Sequence, residues 1–185
     1  MHRLFIVRHA KAVTHPPTAS GGDHERQLAP RGIAVLPAVA RSISEVLDGH
    51  PLDLVVCSTS ARTQETVAHL AAAAPAIASA RLKLESKLYL ADAARLVKIV
   101  RKLPAGAQTV LMCGHNPGLH ELALLLLGAD ETPERLRYDL PTAGLVVLDI
   151  EGAWTSAATS AATSAATSAA PAAATLRAFV VPSAD

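Results

Sequence analysis

Three short strand-like runs, each broken off abruptly by polar or cationic residues, constrain this chain more than any other feature. They lie at 4–7, ended by Arg8-His9; at 52–57, ended by Ser58-Thr59-Ser60-Ala61-Arg62; and at 108–113, ended by Gly114-His115-Asn116-Pro117-Gly118. Apolar runs of this length without alternation read as strands buried on both faces. Between them the apolar spacing changes to three and four. Pro30-Arg31-Gly32 opens a helix carrying Ile33, Leu36, Ala40, Ile43 and Leu47, in which Pro37 kinks the axis or marks a late start, and 48–51 ends it. Ser58, Thr59 and Ser60 supply N-cap candidates for a helix over 61–74, stopped by Pro75. A weak strand pattern lies near 81–84, and Asp92 caps a helix running to about Leu103. A helix over 119–127 is closed by Gly128, and two strands at 143–150 and 175–181 complete the chain.

Strands alternating with helices predict an α/β sheet covered on both faces, with right-handed parallel connections. A chain of 185 residues is one ordinary domain, spanning 1–185. Half of its residues are hydrophobic but only 3% are aromatic, so the core must be built from Ala, Val, Leu and Ile. Between the last two strands, Thr-Ser-Ala-Ala repeats four times after Trp154, and more alanines come after it. The period is too short for a solenoid unit, and we read 155–174 as a low-complexity, solvent-exposed insertion.

Charge and cysteine content narrow the function. Seventeen basic residues against sixteen acidic leave a net charge of +1, so no broad basic field points to nucleic acid or an anionic membrane. The apolar run before Arg8 is too short for a signal peptide, and that at 122–127 falls far short of the roughly 20 residues a membrane span needs. Cys57 and Cys113 cannot form a disulfide framework or a four-ligand zinc site; two buried thiols in a reducing cytoplasm is the expectation.

In open parallel sheets, ligands bind beyond the C-terminal strand ends. If the three runs are parallel, Arg8, His9, Arg62 and His115 project from one sheet edge. Phosphoryl transfer suits such a group: arginine forks match the equatorial oxygens, and a neutral imidazole can carry the phosphoryl group covalently. Cations nearby depress the imidazole pKa and keep it nucleophilic. Singly, a strand-end histidine is an ordinary hydrogen-bonded residue and an arginine a surface ion pair. Four of them after three strands fit that reading poorly. His2, His15, His24, His50, His69 and His120 lack such placement and read as structural or exposed.

The ordered set of Arg8-His9-Ala10-Lys11-Ala12, Asp23-His24-Glu25-Arg26-Gln27-Leu28 with Gly32, Ser58 through Thr66, and Gly114 through Leu119 resembles the histidine phosphatase superfamily, in its compact SixA-like phosphohistidine phosphatase branch. The likeness runs from about residue 3 to 151 and resumes at 176–182. It implies a three-layer α/β/α sandwich of the phosphoglycerate mutase type with a mostly parallel sheet, and a mechanism without metal or cofactor. By position it implies His9 as nucleophile, with Arg8, Arg62, His115 and Asn116 around the phosphate. Ala10 stands where the superfamily often has glycine, and the Thr-Ser-Ala-Ala repeat has no counterpart.

A general acid is the weak point. Asp92 is the candidate, but it equally suits a helix N-cap, and Glu85 reads as a solvated strand-end charge. Phosphohistidine, whose imidazole leaves readily, is therefore favoured over phosphomonoesters. The expected substrate is a phosphorylated protein; a small phosphorylated metabolite, handled by a phosphomonoesterase or mutase, is the alternative. A non-catalytic phospho-binding module comes third. A metal at His9, His115 and Cys113 is disfavoured by the two arginines. Turnover measured with and without EDTA is expected to be the same.

Overall fold

The protein's structure, a computed structural model, describes residues 1–14, 22–157 and 174–182. Its centre is a six-stranded sheet in the order β3-β2-β4-β1-β5-β6, built from β1 (His2–Arg8), β2 (Leu54–Cys57), β3 (Arg81–Leu84), β4 (Thr109–Gly114), β5 (Leu145–Ile150) and β6 (Ala174–Val180). β1, β2, β3 and β4 run parallel, while β5 and β6 pair antiparallel at the far edge. This is the mixed, mostly parallel arrangement expected, and the short 81–84 pattern is indeed a strand.

Helices cover both faces. α1 (Pro30–Ala34), α2 (Leu36–Leu47), α3 (Ala61–Ala73) and α4 (Pro75–Ala78) precede α5 (Ala93–Val100), α6 (Gly118–Glu131) and α7 (Glu134–Tyr138). Strand residues alternate between two cores. Leu4, Ile6, Val110 and Met112 face α5 and α6, whereas Phe5, Val7, Leu111 and Cys113 face α2 and α3. The central strands are buried on both sides, which explains their apolar runs without polar alternation.

Local chemistry adjusts several expected boundaries. Pro37 marks a late start: α1 ends at Ala34, and α2 begins at Leu36 with the proline in its first turn. Asp48 takes a left-handed conformation (φ 47°) after α2. Pro75 stops α3 but opens α4, since a proline fits the first turn of a helix. Gly128 (φ 72°) ends the long apolar part of α6 as expected, and a second short helical piece follows it across a kink to Glu131. The insertion also starts later than 155. Trp154 is buried and donates from Nε1 to the Ala107 carbonyl (2.7 Å), and Ala157, also buried, accepts from Arg101 Nε (2.9 Å). The expectation of an exposed connection therefore concerns 158–173, which lie outside the described residues, as do 15–21.

β1, β4 and β2 sit side by side in register, with Val7 opposite Cys113 and Cys57 opposite Cys113. Their ends are level, so the residues just beyond them emerge together. The loop after β4 is clamped by close packing: a Cβ on Gly118 would overlap the Ala91 carbonyl oxygen. Gly118→Ala should cost about 1–3 kcal/mol, the usual range for overpacking, read as a lowered midpoint in urea unfolding.

Candidate active site

The segment after β1 is held by backbone before any side chain acts. Arg8 N donates to the Gly144 carbonyl (3.1 Å), His9 N to that of Gly114 (3.1 Å), and Ala10 N to Thr66 Oγ1 (3.0 Å). Thr66 Oγ1 in turn donates to the Arg62 carbonyl (2.7 Å), tying the first strand end to α3. Residues 8–10 are thus fixed against both neighbouring strand ends.

The structure brings His9, Arg8, Arg62, His115 and Asn116 around one cavity of about 380 Å³. The His9 ring is oriented by two contacts: Nδ1 lies 2.8 Å from the Ala10 carbonyl, and Nε2 lies 3.3 Å from Arg62 Nε. A carbonyl only accepts and an arginine nitrogen only donates. Nδ1 therefore carries the hydrogen and Nε2 the lone pair. His115 is buried, with Nδ1 accepting from Arg62 Nη2 (3.3 Å) and Nε2 beside Ser58 Oγ (2.9 Å). The two imidazole centroids are 5.2 Å apart.

Arg62, 3% exposed, has every nitrogen engaged. Nε serves His9, Nη1 the Asp23 carbonyl (2.6 Å), and Nη2 both His115 and Asp23 Oδ2 (2.9 Å). Arg8 donates from Nη1 to the Leu140 carbonyl (2.7 Å), and Asp139 Oδ1 stands 3.6 Å away. Its Nε is buried with no hydrogen-bond partner among the described residues. Asn116 Nδ2 donates to the same Leu140 carbonyl (2.8 Å), and its buried Oδ1 is likewise unpartnered. Unsatisfied buried polar atoms are costly, and two beside one cavity mark a place prepared for something polar.

Electrostatics reflect this crowding. Burial holds the His9 pKa down to about 4, assisted by Arg62, Arg8 and Arg26 and opposed by the Ala10 carbonyl. Burial also lowers His115 to about 3, with His9 and Arg62 adding to the effect. Arg8 is lowered by burial too, partly offset by Asp139. Both imidazoles are neutral at pH 7.

Two groups were not singled out from sequence. Asp23 accepts from Arg26 Nη1 (2.8 Å), Arg62 Nη2 and the Tyr89 hydroxyl (2.8 Å). Those donors, Arg26 foremost, hold its carboxyl far below the usual carboxylate range. Arg26, also bonded to the Val13 carbonyl (2.8 Å), adds a third guanidinium to the cavity wall. Both sit in the 23–28 motif, which carried a resemblance but no role: only the fold brings that loop over α3.

Asp92 is not brought to the cavity wall. Its Oδ1 accepts from Arg95 N (2.7 Å) as the N-cap of α5, and the carboxylate that lines the cavity is Asp23. Glu85 accepts from Lys83 Nζ (3.1 Å) and Lys87 N (3.2 Å). The remaining histidines stand apart from the cavity wall. His120 bonds the Leu136 carbonyl (2.6 Å), His2 that of Gly152 (2.6 Å) and His24 Thr59 Oγ1 (3.0 Å); His50 and His69 are exposed, and His15 lies outside the described residues. Cys57 and Cys113 are free and buried. Among the described residues no three His, Cys, Asp or Glu side chains are grouped to hold a metal ion, and no helix is long and apolar enough to cross a membrane.

This chain belongs to the histidine phosphatase superfamily, and its fold and family together support a phosphatase. The pattern describing that superfamily (branch 1) matches residues 4–89. An uncharacterized protein of Mycobacterium tuberculosis is 32% identical over 152 residues, which are 80% of this chain and 89% of that one. Among solved structures, the proposed phosphohistidine phosphatase SixA from Nakamurella multipartitia is 28% identical, with a TM-score of 0.75, covering 99% of this chain and 97% of its own. A mycobacterial glucosyl-3-phosphoglycerate phosphatase complexed with VO3 shares the fold at 15% identity (TM-score 0.56, 83% and 95% covered).

A depressed histidine pKa means that the unfolded chain binds more protons between the folded and unfolded values. Stability should therefore fall as the pH drops from about 6.5 towards 3, with His9 and His115 contributing. In ring ¹⁵N NMR of the folded protein at pH 5.5, both imidazoles should give neutral signals, His9 as the Nδ1–H form. An imidazolium signal for either would contradict the arrangement.

Proposed function

We propose that the chain removes the phosphoryl group from phosphohistidine on a protein, with His9 as the covalent acceptor. The observation that carries this reading is a neutral imidazole whose lone pair accepts from Arg62, in a cavity that Arg8 and Arg26 also line, beside a carboxylate too strongly ionised to give up a proton. Such a pocket can accept phosphate but cannot readily protonate a poor leaving group.

In the first step His9 Nε2 attacks phosphorus, an N–P bond forms, and the bond to the substrate imidazole breaks. That ring leaves as a base and takes a proton from water. In the second step water attacks phosphorus and the His9 N–P bond breaks. Orthophosphate departs with the oxygen from water, and His9 returns to its neutral form.

Arg62 and Arg8 neutralise the equatorial oxygens. Arg62 must first let go of Asp23, while Arg8 Nε is already unpartnered. His115 supplies a further hydrogen bond once its proton moves to Nδ1 and Arg62 Nη2 turns from that nitrogen to the phosphate. The Ser58 hydroxyl allows this, because it can turn from acceptor to donor at Nε2. Asn116 lines the same cavity, and its Nδ2 can donate to these oxygens in exchange for its bond to Asp139 or Leu140. No metal or cofactor enters these steps, and cytoplasmic phosphorylated proteins are the intended substrates.

A panel of a phosphohistidine-bearing protein, sugar phosphates and nucleotides tests the assignment. His9→Ala should lower phosphohistidine turnover by roughly 10³-fold or more, as loss of a covalent nucleophile does. Asp92→Asn keeps a competent helix cap and should leave turnover unchanged. If phosphohistidine is ignored while monoesters turn over and Asp92→Asn cripples them, a small-molecule phosphatase or mutase replaces this reading. Acid-sparing mass spectrometry that finds no phosphate on His9 would leave only a binding module.

A further inference from the structure

The sheet's open edge carries a second, larger surface, away from the residues used above. β3 is the edge strand, paired only with β2. Arg81 N bonds the carbonyl of Asp53, just before β2, and Glu85 N that of Cys57, so in a parallel ladder residues 81, 83 and 85 address β2. Leu82 and Leu84 then turn their N–H and C=O groups outward. Both leucines are exposed, at 56% and 48%. Edge strands with apolar side chains and free backbone groups are templates for another strand.

The two faces of this edge differ. Towards α5 lies a cavity of about 770 Å³ bordered by Arg81, Lys83, Lys87, Arg95, Lys98 and Lys102. Among the described residues Glu85 is the only carboxylate on its wall, and Lys83 already holds it. None of the other five cations is in an ion pair among the described residues. Towards α3 and α4 lies a cavity of about 440 Å³ whose wall includes Ala68, Ala71, Ile77, Leu82 and Leu84. The first wall joins these cations to Leu54, Val56, Ile99 and Leu103, while the second is mostly apolar with Gln64 and Glu65 at its margin, on a chain whose net charge is only +1.

We propose that β3 receives an extended acidic segment of a partner protein, added as a seventh strand. Successive side chains of a strand point to opposite faces. The segment would alternate Asp or Glu, meeting Lys98 and its neighbours, with aliphatic residues, meeting Leu82 and Leu84. Backbone bonds would supply affinity and the alternation specificity. A second copy of this chain fits less well: pairing β3 with itself about Leu82 sets Arg81 against Lys83, pairing it about Lys83 sets that lysine against its own copy, and like charges opposite one another repel.

The test is panning a random dodecapeptide display library on the full chain, followed by fluorescence anisotropy with the enriched peptides. They should alternate acidic and aliphatic residues. Leu82→Pro removes an outward N–H without breaking a bond to β2, which edge strands tolerate, and should weaken binding at least tenfold. Lys98→Glu should do likewise and flatten the salt dependence. Should Leu82→Pro fail to fold, N-methylation of alternate peptide residues probes the same bonds and should weaken binding comparably. No enrichment, enriched peptides without acidic residues, or affinity unchanged by both backbone changes would overturn the proposal. So would a concentration-dependent dimer abolished by Leu82→Pro. Phosphatase turnover should be unaffected by that substitution, so failure here and failure of the catalytic reading are distinguishable.

Discussion

Two uncharged imidazoles packed among guanidinium groups are the condition on which the rest of this site depends. Left to themselves, several cations at such short range would repel one another and draw in solvent. They hold because β1, β4 and β2 end level and because backbone bonds fix the residues just past those ends: His9 N on Gly114, Ala10 N on Thr66, Arg62 within the first turn of α3. Burial then works in favour of the chemistry. It discourages protonation of His9 and His115, so the rings add no charge to a crowded place, and a lone pair remains on His9 Nε2. Asp23 and Asp139 supply the compensating negative charge from loops rather than from the sheet.

The architecture was largely legible because the signals were local. Residues 4–7, 52–57 and 108–113 are apolar without alternation, and only strands buried between two helical layers have that need. The change from strand to loop at His9, Arg62 and His115 was set by where those runs stop. Boundaries set by one backbone conformation were less visible. Gly128 does break the helix as its position suggests, and the short exposed turn that runs on to Glu131 has no pattern in the sequence to announce it. Ala157 reads as part of a featureless repeat, yet Arg101 reaches its carbonyl and the methyl group is buried.

The site was legible in its cations and not in its carboxylate. Asp92 precedes a helix, a position that serves a cap and a catalytic acid equally well in sequence, and the distance to Arg95 N decides for the cap. Asp23 stands 39 residues from Arg62, in a Gly-Asp-His-Glu stretch with no periodic pattern of its own. The bridge between Ala12 and Leu28, Glu65 accepting from Leu28 N, and Arg62 on Asp23 together hold that loop over α3. Contacts between distant loops leave no periodic trace.

Asp23 also sets the reference against which any phosphate must bind. An arginine open to solvent exchanges water for an anion when its ligand arrives. Arg62 instead exchanges one anion for another, and the outgoing carboxylate stays tethered to the chain beside it. Affinity for phosphate is therefore a difference between two charge-assisted bonds, smaller than either alone. The tethered competitor acts at a local concentration that dilution cannot lower. An orthophosphate product leaving this pocket would meet a replacement already in position, which favours its release over its retention.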